Sequence, residues 1–503
     1  MQKLRFPGLG EGTIGLMNFV FPPWVSHSGR DFGYQYIMPN LSGTSSMGYE
    51  SDYNQQCLEK LSKAMAQLQV NVAPAQLEKI SELIVQTMTG PWRYFHTPEH
   101  IFMVGGSDCP IEVLAALFHD VVYVQVDQSV NFNLTYYIAP FVCQEGEGLL
   151  IREADELPPD SMFEIVRQIF DFSVGQSLSP LTGQNEFLSA LVAAKVLEPI
   201  LSVEMIVQIV ACIEATIPFR HHHGQEPTNS EILYRRLQRI TDQFSLNLTD
   251  AELIETVKRS VRLANRDVGS FAHPSAARFL DNTWNLLPET NHHLKNSSSY
   301  TINQYRTAIQ KMEGFLNFIQ AEVIFHQFQG EPNIVTYQAM MEQARKNIEV
   351  GRLYLGSKLF TIAFLEALSL RMGRVIPVST LMGEMPSTNF NTISIVDFLP
   401  KIKEIHQPQN ELEQKVLFLL EVGRTQSSSH DIKNSPLATY MVKSMGFDEI
   451  QHQRNRAHQF FKEMISPEEF LAGCDPTVKH AVTSGIVKLF DSRKAALCQA
   501  YVN

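Results

Sequence analysis

Apolar residues recur at helical spacing along most of the chain from residue 53 onward. Leu58, Leu61, Met65 and Leu68 keep the period, and Leu77, Ile80, Leu83 and Ile84 begin another turn of it. Ile111, Leu114, Ala115 and Phe118 form a stripe that runs on into Val121 and Val122. From Ser202 to Ile217 the chain is apolar nearly all round (Val203, Met205, Ile206, Val207, Ile209, Val210, Cys212, Ile213), which marks a central buried helix. Thr249-Asp250-Ala251-Glu252 is a capping box, and Leu253, Ile254, Val257, Val261, Ala264 and Val268 follow it at helical spacing. A further pattern runs from Tyr300 to about Phe328, with helices continuing through 336–372. Only 374–395 carries strand-like alternation. The predicted fold class is all-α, a helical bundle with an additional C-terminal helical region.

Punctuation divides this pattern. Residues 1–52 are rich in Gly, Ser, Pro and aromatics and predict an irregular N-terminal arm, packed on the body by Phe19, Phe21 and Trp24. Gly8, Gly10 and Gly12 follow no strand pattern, so they do not read as a phosphate loop. Residues 53–373 form the expected main domain, interrupted by an irregular stretch at 126–180. Pro377, Gly383, Pro386, Pro400 and Pro408 make 374–410 a predicted linker to a smaller helical region, 411–503.

Of the 503 residues 44% are hydrophobic and 19% charged, an ordinary globular balance. The net charge of −12 argues against a nucleic-acid scaffold. It leaves room for a nucleotide substrate, because a cation and a few local Arg or His residues reverse the field in one cleft. Six cysteines are scattered without a CxxC pair, as expected of free thiols in a reducing cytoplasm. Pro22-Pro23 and Asn18 break the best candidate for a signal peptide, and no run of about 18 apolar residues predicts a membrane span.

The chemistry concentrates between Arg93 and Asp127, where His96, His100 and the pair His119-Asp120 occur. Imidazoles with a carboxylate are suitable ligands for a divalent cation. Asp120 closes an apolar stripe, where an unpaired charge is expensive to bury, so it needs a partner. Thr97-Pro98-Glu99 is a helix start that leaves His96 just outside and His100 in the first turn. Asp267 also lies beside a buried stripe; a bound cation, or Arg262 or Arg266, would compensate it. The second His-Asp pair, His430-Asp431, lies between Ser427-Ser428-Ser429 and Lys433-Asn434-Ser435-Pro436, a composition that predicts a solvated loop.

In order along the chain, YFHTPEHI, LFHDVVY, NEFLSA, EATIPFR and ANRDVGSF resemble the motifs of the HD-superfamily metal-dependent phosphohydrolases, over roughly residues 85–320. Cyclic-nucleotide phosphodiesterases share the layout. The resemblance implies an HD-like bundle whose metal ligands are His100, His119, Asp120 and Asp267. They would hold one divalent ion (Mn, Fe, Mg or Zn), with a possible second ion or a water at Glu186. It implies that His96 is the general acid, or else an orienting group. Arg220 with His222 and His223 would bind phosphate or form an exposed polar loop, and His273 would face the cleft. Residues 126–180 would be an insertion bordering the site. The implied activity is hydrolysis of a small nucleotide-like phosphate ester.

The arrangement is also similar to the phosphodiesterase domains of SidE-family bacterial effectors, which cleave a phosphodiester linking phosphoribose to ubiquitin. In that case His119, Glu186 and a downstream His would act without obligatory metal, and the C-terminal helices would recognise a protein partner. The chain would then be a secreted effector without a signal peptide. A third reading is a catalytically inactive nucleotide sensor or interaction module derived from the same fold.

Overall fold

The computed structural model describes residues 46–146, 148–220, 227–295, 300–373, 375–383, 393–428 and 430–499. Among them the chain forms nineteen α-helices and three short strands, an all-α fold. Most of the expected arm, the GxGxG string included, and both His222 and His223 lie outside the described residues. Two compact units divide the chain: residues up to Gly269 with Glu322–Met341, and Ser270–Ala321 with Glu342 onward.

The first unit holds α1 (Ser46–Gln67), α2 (Pro74–Met88), α3 (Pro98–Val104), α4 (Pro110–Phe118), α5 (Val124–Asp127), α6 (Phe132–Ile138), α7 (Ser161–Ile169), α8 (Gln184–Leu197), α9 (Val203–Ala215), α10 (Asn229–Gln243) and α11 (Asp250–Asp267). The helix that is apolar all round is its axis: α9 packs against α4, α7, α8, α10 and α11. Val207, Ile209, Val210 and Ile213 are sealed within it. Each such side chain contributes roughly 1.5–3 kcal/mol by leaving water, so a charge at Val210 would break the bundle. The Thr249–Glu252 capping box forms as expected and starts α11. Gly183 starts α8 at φ +96°, a conformation that L side chains rarely adopt, and a Cβ there would run into the Ile217 side chain, so the turn calls for glycine.

Residues 126–180 are more ordered than their composition suggests. They carry α6, α7 and an antiparallel sheet of β1 (Val142–Glu145), β2 (Gly148–Ile151) and β3 (Ser177–Leu178). Strands of two to four residues are too short to show an alternation in sequence. Phe141 stacks on Phe163, and Phe170 and Phe172 both meet Phe187 of α8 edge-on, fastening the segment to the bundle.

The second unit contains α12 (Ala276–Thr290), α13 (Ile302–Phe318), most of α14 (Ile334–Arg371), α15 (Val378–Met382), α16 (Glu411–Glu421), α17 (Pro436–Phe461), α18 (Pro467–Ala472) and α19 (Pro476–Gln499). The units therefore part near residue 270, whereas the sequence suggested a boundary at 374–410. Gly351 explains part of the difference. Its missing side chain lets α14 approach Leu316 of α13 and Phe279 of α12.

The helix expected to reach Phe328 ends at Phe318. Arg352 takes up the carbonyls of Leu316 and Ile319 at 2.7 and 2.9 Å, replacing the hydrogen bonds of another turn. The expected linker is packed where it is described: Leu381 and Ile395 are fully buried, and α15 and the turn at 395–398 lie against α19. Helix α14 is long and apolar enough to cross a membrane, but 94% of its apolar window is buried within the fold.

The His430-Asp431 expectation is also corrected. His430 is buried, and Asp431 Oδ2 accepts hydrogen bonds from Trp284 Nε1, Tyr305 OH and Lys358 Nζ at 2.7–2.8 Å. Burial opposes the Asp431 charge, but Lys358 and Arg424 outweigh it and hold the carboxyl down to about 2. Trp284, Tyr305 and Lys358 come from distant stretches of chain, so the local loop composition could not reveal them.

Candidate metal centre

All four predicted ligands lie in the first unit and converge. Pro98 begins α3 after Thr97, whose backbone is extended as an N-cap although its side chain makes no capping bond. One turn in, His100 points into the bundle, 5% exposed. His119 ends α4: its backbone N–H donates to Ala115 O at 2.9 Å. Its ring Nδ1 lies 2.8 Å from Ala116 O. A carbonyl only accepts, so Nδ1 bears a hydrogen, and in the neutral ring it is Nε2 that keeps the lone pair a cation needs. Asp267, the last residue of α11, brings the second carboxylate.

His100 Nε2 lies 3.0 Å from Asp267 Oδ1 and 3.4 Å from Asp120 Oδ2. His119 Nε2 lies 3.0 Å from Asp120 Oδ2 and 3.5 Å from Asp267 Oδ1. The four ligand atoms all fall within 4.8 Å of one another and could hold a metal ion. Such ligands sit ~2.0–2.2 Å from an ion, so atoms this close to one another can share one. His119 Nε2 is sealed from solvent and has no hydrogen-bond partner. That orphaned lone pair, with two carboxylates beside it, is what an inner-sphere cation satisfies.

Without a cation, the cluster is held by proton sharing. Burial opposes a charge on His100, but Asp120 and Asp267 outweigh it and raise the imidazole to about 9. His119 is raised in the same way. Burial likewise opposes the Asp267 charge, and the two imidazoles outweigh it, lowering the carboxyl to about 2.

Two further predicted residues lie beside the cluster. The His96 ring is half-buried, 5.7 Å from that of His100 and 4.4 Å from that of Tyr123. Glu186 is in the first turn of α8, with Oε2 buried and lacking a hydrogen-bond partner. Burial, then the charges of Asp120 and Asp267, push its carboxyl up to about 8, so it is protonated at neutral pH.

The substrate-binding expectations fare differently. Arg220 is committed to a buried partner: Nη1 donates to Glu214 Oε1 at 2.6 Å and Nη2 to the Glu214 carbonyl at 3.2 Å. Arg236 joins the same carboxylate at 3.2 Å. A free phosphate grip is therefore not what Arg220 offers. His273 belongs to the second unit, where its Nδ1 accepts from the Ser275 amide at 2.9 Å and caps a turn. Neither proposed partner of Asp267 pairs with it. Arg262 Nε and Arg266 Nη2 instead reach the two oxygens of buried Glu112 at 2.8 and 2.7 Å.

Several positioning residues went unnoticed in the sequence. Glu112 on α4 takes both arginines of α11, and Arg266 Nε also donates to Val104 O at the end of α3, at 2.8 Å. One knot thus fixes all three helices that bring the cluster together. Ser189 Oγ accepts from Val122 N at 3.0 Å, and Asn185 Oδ1 from Val124 N at 3.1 Å. Their spacing of four puts them on one face of α8, holding the chain just after Asp120. Arg93, clamped by Asp127 at 2.6 Å, donates to the Asp120 carbonyl at 2.7 Å. The i, i+4 pair Asn185/Ser189 and the acid within the apolar turn at Glu112 were the available signals.

Comparison with protein-family models, with curated proteins and with solved structures finds no match to this chain.

Proposed function

We propose that the protein is a metal-dependent phosphohydrolase acting on a nucleotide-like phosphate ester. The observation that carries this reading is the buried, unpartnered Nε2 of His119, fixed as a lone-pair donor by Ala116 O and facing two carboxylates and a second imidazole. Two imidazoles and two carboxylates suit Mn, Fe, Zn or Mg about equally. A bound divalent ion would polarise a phosphoryl oxygen and make water reactive at neutral pH.

The chain's own groups have separate tasks. His100, His119, Asp120 and Asp267 hold the ion and set its position. His96, outside the ligand set, protonates the leaving oxygen as general acid, a role often filled by imidazole. Glu186, beside the ligand set, orients water or a phosphoryl oxygen.

Protein purified without chelator should carry about one equivalent of a divalent metal by elemental analysis. It should hydrolyse members of a panel of phosphomonoesters, phosphodiesters and cyclic dinucleotides, lose that activity to chelator and regain it with one cation. Asp120→Ala should lose the metal. Metal-free protein that cleaves phosphodiesters in the presence of chelator would overturn the reading.

A further inference from the structure

Tyr123 touches the His96 ring but has no part in the chemistry described so far. It is half-buried and occupies the N-cap position of α5. Its carbonyl accepts from the amides of Val126 and Asp127 at 3.1 and 2.9 Å. The residues on either side are tied to α8: the Val122 amide donates to Ser189 Oγ and the Val124 amide to Asn185 Oδ1. Asn185 Nδ2 also donates to Gln125 Oε1 at 2.7 Å. The Tyr123 backbone is therefore held in the frame of α8.

His96 stands differently. It lies in the bend at 94–97, and α3 begins only at Pro98, so helical hydrogen bonds do not reach it. The last torsion of a histidine side chain is broad, and rotamer preference alone leaves the ring plane open. Three rings meet that of His96 edge-on: Phe95 at 4.9 Å and 76°, Tyr123 at 4.4 Å and 70°, and His100 at 5.7 Å and 77°. Aromatic rings prefer this arrangement. Phe95 is the chain neighbour of His96 and also packs against His100, at 4.8 Å. His100 belongs to the cluster. Of the three, Tyr123 alone comes from a separate segment and lies outside the cluster.

The ring plane matters because a proton donor must aim one nitrogen at the leaving oxygen within hydrogen-bond reach. We propose that Tyr123 is a positioning residue that sets the plane of the His96 ring for this transfer. The proposal rests on the general-acid reading of His96. In that step the leaving oxygen keeps the electron pair of the broken bond to phosphorus and takes the ring proton. The incoming water loses one proton, which restores the ring.

Two measurements on the full chain test it. The first needs no activity. In protein held in chelator and labelled at histidine rings, His96 should show nuclear Overhauser contacts to the Tyr123 ring. Tyr123→Ala should shift the His96 ring signals and leave those of His119 in place, whereas Tyr123→Phe, which keeps the ring, should preserve the His96 signals. The second compares an alkyl phosphate ester, whose leaving oxygen needs a proton, with the p-nitrophenyl ester, whose leaving oxygen does not, using protein purified without chelator. His96→Ala should lower kcat on the alkyl ester by about 10²-fold or more and spare the p-nitrophenyl ester. Tyr123→Ala should show the same selectivity, with a loss of up to about 10²-fold, as a misplaced catalytic group gives. Its KM and metal content should not change, and Tyr123→Phe should restore kcat.

The failures are distinguishable. A leaving-group effect in His96→Ala but not in Tyr123→Ala would overturn the positioning role and leave the general acid standing. No such effect in His96→Ala would overturn both. Equal losses in Tyr123→Phe and Tyr123→Ala would assign the effect to the hydroxyl and refute the role of the ring. Loss of metal from Tyr123→Ala would make the residue a support for Asp120 instead. An unmoved His96 spectrum in Tyr123→Ala would overturn the proposal whether or not any ester is turned over.

Discussion

His119 Nε2 lies 3.0 Å from Asp120 Oδ2, sealed from solvent. Adjacent residues at the end of a helix rarely aim both side chains at one point. Here His119 is locked by Ala116 O, and Asp120 by Arg93 on its carbonyl. Both are thus held before any ligand arrives.

If that preorganisation serves a cation, His119→Ala should remove the metal while Ala116 merely loses one hydrogen bond. Bound metal measured by elemental analysis should fall at least about tenfold, the lower end of what ligand-shell changes cost. Unchanged metal content would remove His119 from the ligand set.

Glu112 is predicted to matter as much as a ligand, from outside the cluster. Glu112→Gln leaves Arg262 and Arg266 without their shared carboxylate. Because both arginines are partly exposed, the cost should be about 1–3 kcal/mol, below the 3–5 kcal/mol of a fully buried broken pair. Urea denaturation measures this loss. Metal affinity should weaken too, since α11 loses its tie to α4.

The metal-free protein should become less stable as pH rises. His100 is raised from 6.5 to about 9 in the folded state, so its contribution is fully present below pH 6.5 and lost as pH passes through about 9. Glu186, raised from 4.5 to about 8, acts in the same direction between those values. Metal affinity should run the opposite way, rising toward pH 9, because the ion displaces the imidazole protons. Denaturation in chelator and metal titration, each from pH 6 to 9.5, check the two signs.

Glu186→Gln should be tolerated structurally, since the wild-type carboxyl is already neutral at pH 7. The expected result is unchanged melting temperature in chelator and unchanged metal content, with kcat reduced. A loss of metal instead would make Glu186 a ligand.

Periodicity and capping chemistry made the helices legible. An all-round apolar segment such as Val203–Ala215 has nowhere to go but the centre, and Thr249–Glu252 starts a helix by local hydrogen bonds alone. The cluster of two imidazoles and two carboxylates was legible for a related reason. Asp120 and Asp267 are charges placed against apolar stripes, and burial forces such charges to find partners. The two-to-four-residue strands of 142–178 were too short to leave a periodic trace.

What the sequence could not supply was the choice among partners. Arg262 and Arg266 are near Asp267 in the chain, yet they bind Glu112, some 150 residues away. Arg220 looked available for phosphate, and Glu214 took it. Asp431 looked solvated, and Trp284, Tyr305 and Lys358 enclosed it. Local composition determines which groups require compensation, because desolvation acts on each residue where it stands. Which opposite charge answers is decided only when helices pack, because Coulomb attraction and hydrogen bonding depend on distance in space and not along the chain.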